Sequence, residues 1–294
     1  MVYLLPMPLR IRTLLAKLPI ERFRNPPAVV AVLRLSGIIA ASNLPLRAGT
    51  LSLSGMARMI ERAFETKDVK AVALAINSPG GSPVQSALIQ SRIRQLAQEK
   101  KVPVFAFAED VAASGGYWLA LAADEIFADP NSILGSIGVI SSGFGFADMI
   151  ARFGIERRVH TQGERKSLLD PFKPERPEEV ARLERLQKEI YESFVAMVRE
   201  RRGSKLVDPE GNGTFSGDIF TGRRALEAGL IDGLGDLRSV MRARFGDKVK
   251  LKPVAEGGGW LRRRLGFSAP VPSLWIEDLL AAAEGRALWA RYGL

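Results

Sequence analysis

The run AVALAI, Ala71–Ile76, goes straight through Asn77 and Ser78 into a Pro-Gly-Gly turn. No polar residue interrupts it on either alternating face, so a strand made from it has to be covered on both sides. Two further runs read the same way: AVVAVLRLSGII (Ala28–Ile39) and VPVFAFAED (Val102–Asp110). Helical patterns separate them. GMARMIERAFE starts after Ser54, read as its cap, and puts Met56, Met59, Ile60 and Phe64 on one face. VQSALIQSRIRQLAQEK offers Ala87, Leu88, Ile93 and Leu96 as an inner stripe. Buried strands alternating with helices at this spacing predict an α/β fold of stacked βαβ units.

A short strand, EIFADP, and a glycine- and serine-rich run, PNSILGSIGVISSGFGFA, follow. From Pro177 to Arg202 the chain predicts one long helix with Val180, Leu183, Leu186, Ile190, Phe194 and Met197 at helical spacing. That stripe packs either on the core or on another subunit. TGRRALEAGLIDGLGDL closes the main body, with Thr221 as a helix cap and Gly229 as a stop. EGGGW then reads as a flexible joint. The organisation expected is a basic amphipathic segment over 1–27, a main domain over 28–250 and a C-terminal appendage over 251–294, with no internal repeat.

Composition narrows the chemistry. The 294 residues include no cysteine and one histidine, His160. Disulfides, thiolate catalysis, cysteine zinc sites and multi-histidine metal sites are excluded. The net charge is +10, and residues 1–27 hold Arg10, Arg12, Lys17, Arg22 and Arg24 against Glu21. Such a balance suits an anionic membrane surface or nucleic acid, but no nucleic-acid motif is present. Scattered basic residues on solvated faces are the plainer reading. No segment has the roughly 20 apolar residues of a membrane span. MVYLLPMPL is broken by Pro6, Pro8 and Arg10 and lacks the basic start of a secretory signal. The expectation is peripheral membrane association, with the cytoplasmic side open to it.

Three loops carry candidate chemistry. NSPGGSP (Asn77–Pro83) is either a strand-to-helix turn or a place where backbone N–H groups meet developing negative charge. AASGGYW (Ala112–Trp118) puts Ser114 at a helix start, where it is either a cap or a nucleophile. It is not a G-x-S-x-G elbow, because Ala112 stands at the first glycine position. TQGERKSLLDPFKP (Thr161–Pro174) holds Lys166 near Leu168 and Leu169. Lysine is usually a solvated surface residue. To serve as a base it has to be neutral near pH 7, a fall from about 10.4 that costs about 4–5 kcal/mol and that apolar burial can supply. His160, six residues earlier on a stretch read as a strand, is the rival base or simply a structural histidine.

Taken in order, SPGG, ASGGYW, GSIGV and G-x-x-K followed by DPF resemble the signal peptide peptidase A family of serine proteases, over about Ala28–Asp236. The resemblance implies a Clp-protease or crotonase type of fold, no metal and no cofactor. It implies a serine–lysine dyad of Ser114 and Lys166, 52 residues apart, with Ser136 orienting the lysine amine. The oxyanion donors carry over to the N–H groups of Gly81 and Gly115. Substrates would be membrane-associated peptides such as remnant signal peptides. Single-domain members form rings in which the serine of one subunit meets the lysine of the next. They also usually carry an N-terminal membrane anchor, and here a basic amphipathic segment stands in its place. A crotonase-type acyl-CoA enzyme shares the fold without needing Ser114 or Lys166. A non-enzymatic membrane scaffold that uses the basic ends is a second alternative. A serine–lysine protease acting on a stomatin-like membrane partner is the third.

Overall fold

A computed structural model describes residues 26–41, 50–163 and 165–255, together with 289, 290 and 292. The strands are β1 (Val29–Ser36), β2 (Ile38–Ile39), β3 (Thr50–Leu51), β4 (Val69–Ser78), β5 (Val104–Ala113), β6 (Glu125–Ala128), β7 (Ile133–Gly135), β8 (Ile219–Thr221), β9 (Gly233–Leu234) and β10 (Lys250–Pro253). The helices are α1 (Leu53–Phe64), α2 (Pro83–Lys100), α3 (Gly115–Ala120), α4 (Ala147–Arg152), α5 (Pro177–Arg202), α6 (Gly222–Glu227) and α7 (Leu237–Phe245).

The main sheet runs β10-β1-β4-β5-β6-β9, with every neighbouring pair parallel. The α/β fold class is the one expected. The apolar residues of β4 from Ala71 to Ile76 are buried on both faces. One face packs on α1, α2, α3 and α5 through Leu33, Leu35, Leu74 and Ile76. The other carries Val30, Ala73, Phe105, Phe107 and Phe127, closed by Met241 of α7.

Strand β5 changes partner along its length. Phe105–Ala108 pair with β6, and Val111–Ala113 pair with β7. Opposite β4 the register shifts, from Ile76 against Ala108 to Ser78 against Ala112. Two extra residues of β5 are accommodated there, and the strand bends. The Asn77 side chain fills the gap, donating to Asp110 Oδ2 at 2.7 Å and accepting from Val111 N–H at 3.2 Å. The bend swings Ala113 beside Gly135 and so decides where Ser114 emerges.

Several local expectations need correction. The cap of α1 is Ser52, not Ser54, since its side chain accepts from Gly55 N–H. Leu88 is 43% exposed, because the inner face of α2 is Ile89, Ile93, Leu96 and Ala97 with Ser86 and Gln90. On α5, Phe194 and Val198 are buried, whereas Leu186 and Ile190 are exposed, because no described element of this chain covers that half of the helix. Residues 155–161 form no strand; they lie on an open excursion without ladder partners. Strand β10 runs across the expected boundary at 250 and pairs Leu251 and Lys252 with Val30 and Ala31. Thr221 and Gly229 behave as expected: Thr221 caps α6, and Gly229 has φ +74°. The basic segment up to Asn25 and most of the appendage lie outside the described residues. No described helix is long and apolar enough to cross a membrane.

A partly buried ionic knot closes the body beneath α3. Arg202 donates to Gly229 O at 2.9 Å and to Asp232 Oδ2 at 2.8 Å, and Lys205 donates to Asp232 Oδ1 at 2.6 Å. The Ile126 N–H also reaches Asp232, and the buried Tyr117 hydroxyl donates to Leu230 O. Burial works against ionising Asp232, but the bonds from Arg202, Lys205 and Ile126 outweigh it and hold the carboxyl below its ordinary range. A depressed carboxyl stabilises the fold above its unfolded value, about 3.9, and loses that contribution as pH falls through its folded value. Asp232→Asn is therefore expected to lose about 2–3 kcal/mol at pH 7. Thermal melts should show the gap to wild type narrowing below about pH 4.

Candidate active site

Ser114 stands at the junction of β5 and α3 with φ +52° and ψ −123°. A non-glycine residue held there stores on the order of 1–3 kcal/mol of strain and persists only where its surroundings enforce it. Two backbone bonds enforce it: Ser114 N–H donates to Gly135 O at 2.8 Å, and Ser114 O accepts from Trp118 N–H at 3.0 Å. The side chain makes no capping hydrogen bond, so the helix-cap reading fails. The hydroxyl is left half-buried at the C-terminal end of a parallel sheet.

The Pro-Gly-Gly turn lies directly against it. A Cβ placed on Gly80 would stand 2.8 Å from Ser114 Cβ and 2.8 Å from Gly115 N. A Cβ on Gly115 would stand 3.3 Å from Gly81 N and 2.5 Å from Ser86 Oγ. Gly81 pairs with Ile39 in a parallel bridge, formed by Ile39 N–H to Gly80 O and Ser82 N–H to Ile39 O. In that geometry the flanking groups make the bonds, and Gly81's own N–H turns away from Ile39. The backbone N atoms of Gly81 and Gly115 thus lie in one close-packed junction with Ser114.

Ser136 follows Gly135 as Ser114 follows Ala113, and those two residues are ladder partners. Ser136 has φ +51°, is 9% exposed, and donates its N–H to Asp218 O at 2.7 Å. The structure therefore brings Ser114, Ser136, Gly81 and Gly115 together from three separate stretches of chain.

It does not bring Lys166 to them within one chain. Lys166 is exposed, with its backbone N–H on Gly163 O, and it lines a shallow depression with Gln162, Gly163 and Arg165. The apolar surroundings expected of it are not met, since neighbouring Leu168 is itself 38% exposed. His160 is exposed on the same excursion. That excursion, residues 139–176, holds itself together locally. Phe172 sits 5.6 Å from the Phe146 ring, Arg157 lies 5.0 Å over Phe172, and Arg157 pairs with Asp170. Glu179 at the start of α5 accepts from Leu169 N–H and pairs with Arg176. Ile140, Phe144, Phe153 and Ile155 on the excursion are all well exposed.

Helix α5 has different company on its two sides. Glu184, Gln187, Lys188 and Tyr191 line a cavity of about 420 Å³ with Ile137, Gly138 and Val139, the residues just after Ser136. Arg182, Arg185, Leu186 and Glu189 instead line an open depression with Arg165 and Leu168, which flank Lys166. At about 100° per residue these two sets point in roughly opposite directions. The body of α5 therefore lies between the segment after Ser136 and the neighbours of Lys166. Sequence reasoning missed Asn77, whose signal was a strand-terminal amide before a glycine turn.

No group of three or more potential ligand side chains that could hold a metal occurs among the described residues. The sequence profile of Peptidase family S49 matches residues 96–252. The Na(+)/H(+) antiporter NhaA of Brucella abortus is 50% identical over 290 residues, covering 96% of this chain and 39% of that protein. The chloroplastic serine protease SPPA of Arabidopsis thaliana is 32% identical over 214 residues, covering 71% of this chain and 31% of that one. The chain thus spans less than half the length of either relative. A solved variant of the membrane-bound stomatin-specific protease 1510-N aligns with TM-score 0.49 and 17% identity, over 79% of this chain and 99% of that one.

A side chain at Gly81 would put its Cβ 2.0 Å from Ile39 O, at φ +138°. Gly81→Ala should displace the loop that faces Ser114 and reduce peptide turnover by about 10²-fold or more. Steady-state kinetics beside a thermal melt checks this, with turnover falling far more than stability.

Proposed function

The chain belongs to Peptidase family S49, and we propose that it is a serine-type peptidase with Ser114 as its nucleophile and Lys166 as its general base. The observation that carries this reading is the strained Ser114 backbone beside the N–H groups of Gly81 and Gly115. Family membership favours peptide hydrolysis over the acyl-CoA chemistry of a related fold. A neutral Lys166 amine takes the Ser114 proton as Oγ attacks the peptide carbonyl. The oxyanion sits on the two glycine N–H groups. Lys166 then passes the proton to the leaving amine, and an acyl-Ser114 ester remains. Water, deprotonated by the same amine, cleaves the ester and restores Ser114. The Ser136 hydroxyl orients the amine.

The base comes from a neighbouring subunit in this reading, within a homo-oligomeric ring. Two observations support it. Lys166 lies beyond α5 from the segment after Ser136, and its excursion exposes Phe144, Phe153, Ile140 and Ile155, which another subunit would cover. The substrates are peptides at a membrane surface, remnant signal peptides among them. The Brucella relatives, of which this chain covers 39%, carry the name Na(+)/H(+) antiporter, and that name is what suggests a membrane setting. The basic segment 1–27 would add a weak, salt-sensitive contact with anionic lipid.

The test mixes two inactive variants, Ser114→Ala and Lys166→Ala, under conditions that exchange subunits. Shared sites restore activity, because some junctions join an intact Ser114 to an intact Lys166. A mixture that stays inactive after proven exchange contradicts sharing. Lys166→Arg should be inactive alone, because a guanidinium stays charged.

A further inference from the structure

The nucleophile's helix is tied at its far end by two arginines. Helix α3 is wholly buried from Gly115 to Ala120, and Leu121, Ala122 and Ala123 after it are buried too. The last carbonyls of α3, at Tyr117, Leu119 and Ala120, accept from the N–H groups of Leu121, Ala122 and Ala123 in the buried turn that follows. That turn's own carbonyls would be costly to bury unpaired, and two arginines meet them. Arg201 donates from Nε to Leu121 O at 2.9 Å and from Nη2 to Ala123 O at 2.8 Å. Arg94 donates from Nη1 to Ala122 O at 3.1 Å. Asp124 bridges the pair, 2.7 Å from Arg94 and 3.9 Å from Arg201, and accepts the Val104 N–H at 2.9 Å.

We infer that Arg201, seconded by Arg94, is a positioning residue for catalysis, one that fixes α3 along its axis and thereby sets where Ser114 Oγ and the Gly115 N–H stand. The inference rests on the reading of Ser114 as nucleophile.

Three features support it. The first is leverage. Six residues of helix are about 9 Å long, so a shift at the last turn is delivered to the first. The second is that α5 holds α3 at two points. Trp118 stacks on Phe194 of α5 at 4.5 Å and 14°, which fixes α3 sideways, while Arg201, two turns further along α5, fixes it lengthwise. Stacking alone lets a helix slide, whereas a guanidinium bonded to two carbonyls does not. The third is the choice of residue. A helix end is commonly closed by a glycine turn or by water. Here two cations are held side by side, and burial, then repulsion from Arg94, lowers the pKa of Arg201 from its ordinary value. Arg201 meets the two carbonyls from two separate nitrogens of a rigid plane, a spacing that the single ammonium of lysine does not reproduce. Both positive charges also sit at the negative end of α3, in line with its dipole.

The test uses the full chain in its assembled form. Arg201→Gln and Arg201→Lys are compared with wild type well below their melting temperatures. A fluorophosphonate probe gives the rate of serine acylation, peptide mass spectrometry gives the adduct's position, and a peptide substrate gives kcat and KM. Arg201→Gln is expected to slow labelling and kcat by tenfold or more, on the order expected for a small misplacement of reacting groups. KM should stay within about twofold and the adduct should stay on Ser114. Arg201→Lys, which keeps the charge and one bond, should fall between Arg201→Gln and wild type; it decides the question if the glutamine variant fails to fold. Melting temperatures that fall while labelling and kcat stay within twofold of wild type overturn the inference and leave Ser114 as nucleophile. A wild-type adduct on another residue overturns both.

Discussion

The φ of +52° at Ser114 is the constraint on which the rest of the site depends. An L-residue does not adopt it unaided, so everything around it serves to hold it. The β4–β5 bulge turns the end of β5 toward β7, and Gly135 O then catches the Ser114 N–H. The Pro-Gly-Gly turn fits against the serine only because glycines let backbone approach backbone. Helix α3 takes up the chain at once and is buried throughout. Loosening any of these would let Ser114 relax toward an ordinary helix cap, and the hydroxyl would swing onto the backbone instead of standing free.

The parallel sheet is legible in the sequence because AVALAI and its companions have no polar face. The close approach of the two glycine loops is legible as glycines after strands. Ser136 is identified by resemblance, and its place beside Ser114 follows from one ladder pair, Ala113 with Gly135. The strain at Ser114 is not legible, since a serine before two glycines fits a cap equally well. Its torsion is held by Trp118 in the next turn and by residues 21 or more positions away, in the turns at Gly80 and Gly135. The phase of α2 is ambiguous at Leu88 because Ala87 and Leu88 look as apolar as Ile89, and only packing against the sheet separates them. Arg201 is invisible for a similar reason. It shares the last turn of α5 with Arg199 and Arg202 and differs from them only by the carbonyls it meets.

Lys166 shows the limit of a single chain. Spacing places it after a glycine turn, and folding then leaves it on an excursion whose apolar residues face outward. A stripe that looks like core on α5 divides into a buried half, Phe194 and Val198, and an exposed half, Leu186 and Ile190. Apolar surface of that kind is covered in most working proteins. In the proposed shared site, burial of the excursion and the meeting of Lys166 with Ser114 occur in the same event, assembly.

Everything proposed for this site turns on Ser114 being the nucleophile, and covalent trapping puts that to the test. Wild-type protein is treated with a fluorophosphonate, digested, and sequenced by mass spectrometry. One stoichiometric adduct is expected, on the peptide that holds Ser114, forming in step with loss of peptidase activity. Full inactivation with the adduct on another residue, or an active protein with Ser114 fully modified, would contradict the assignment.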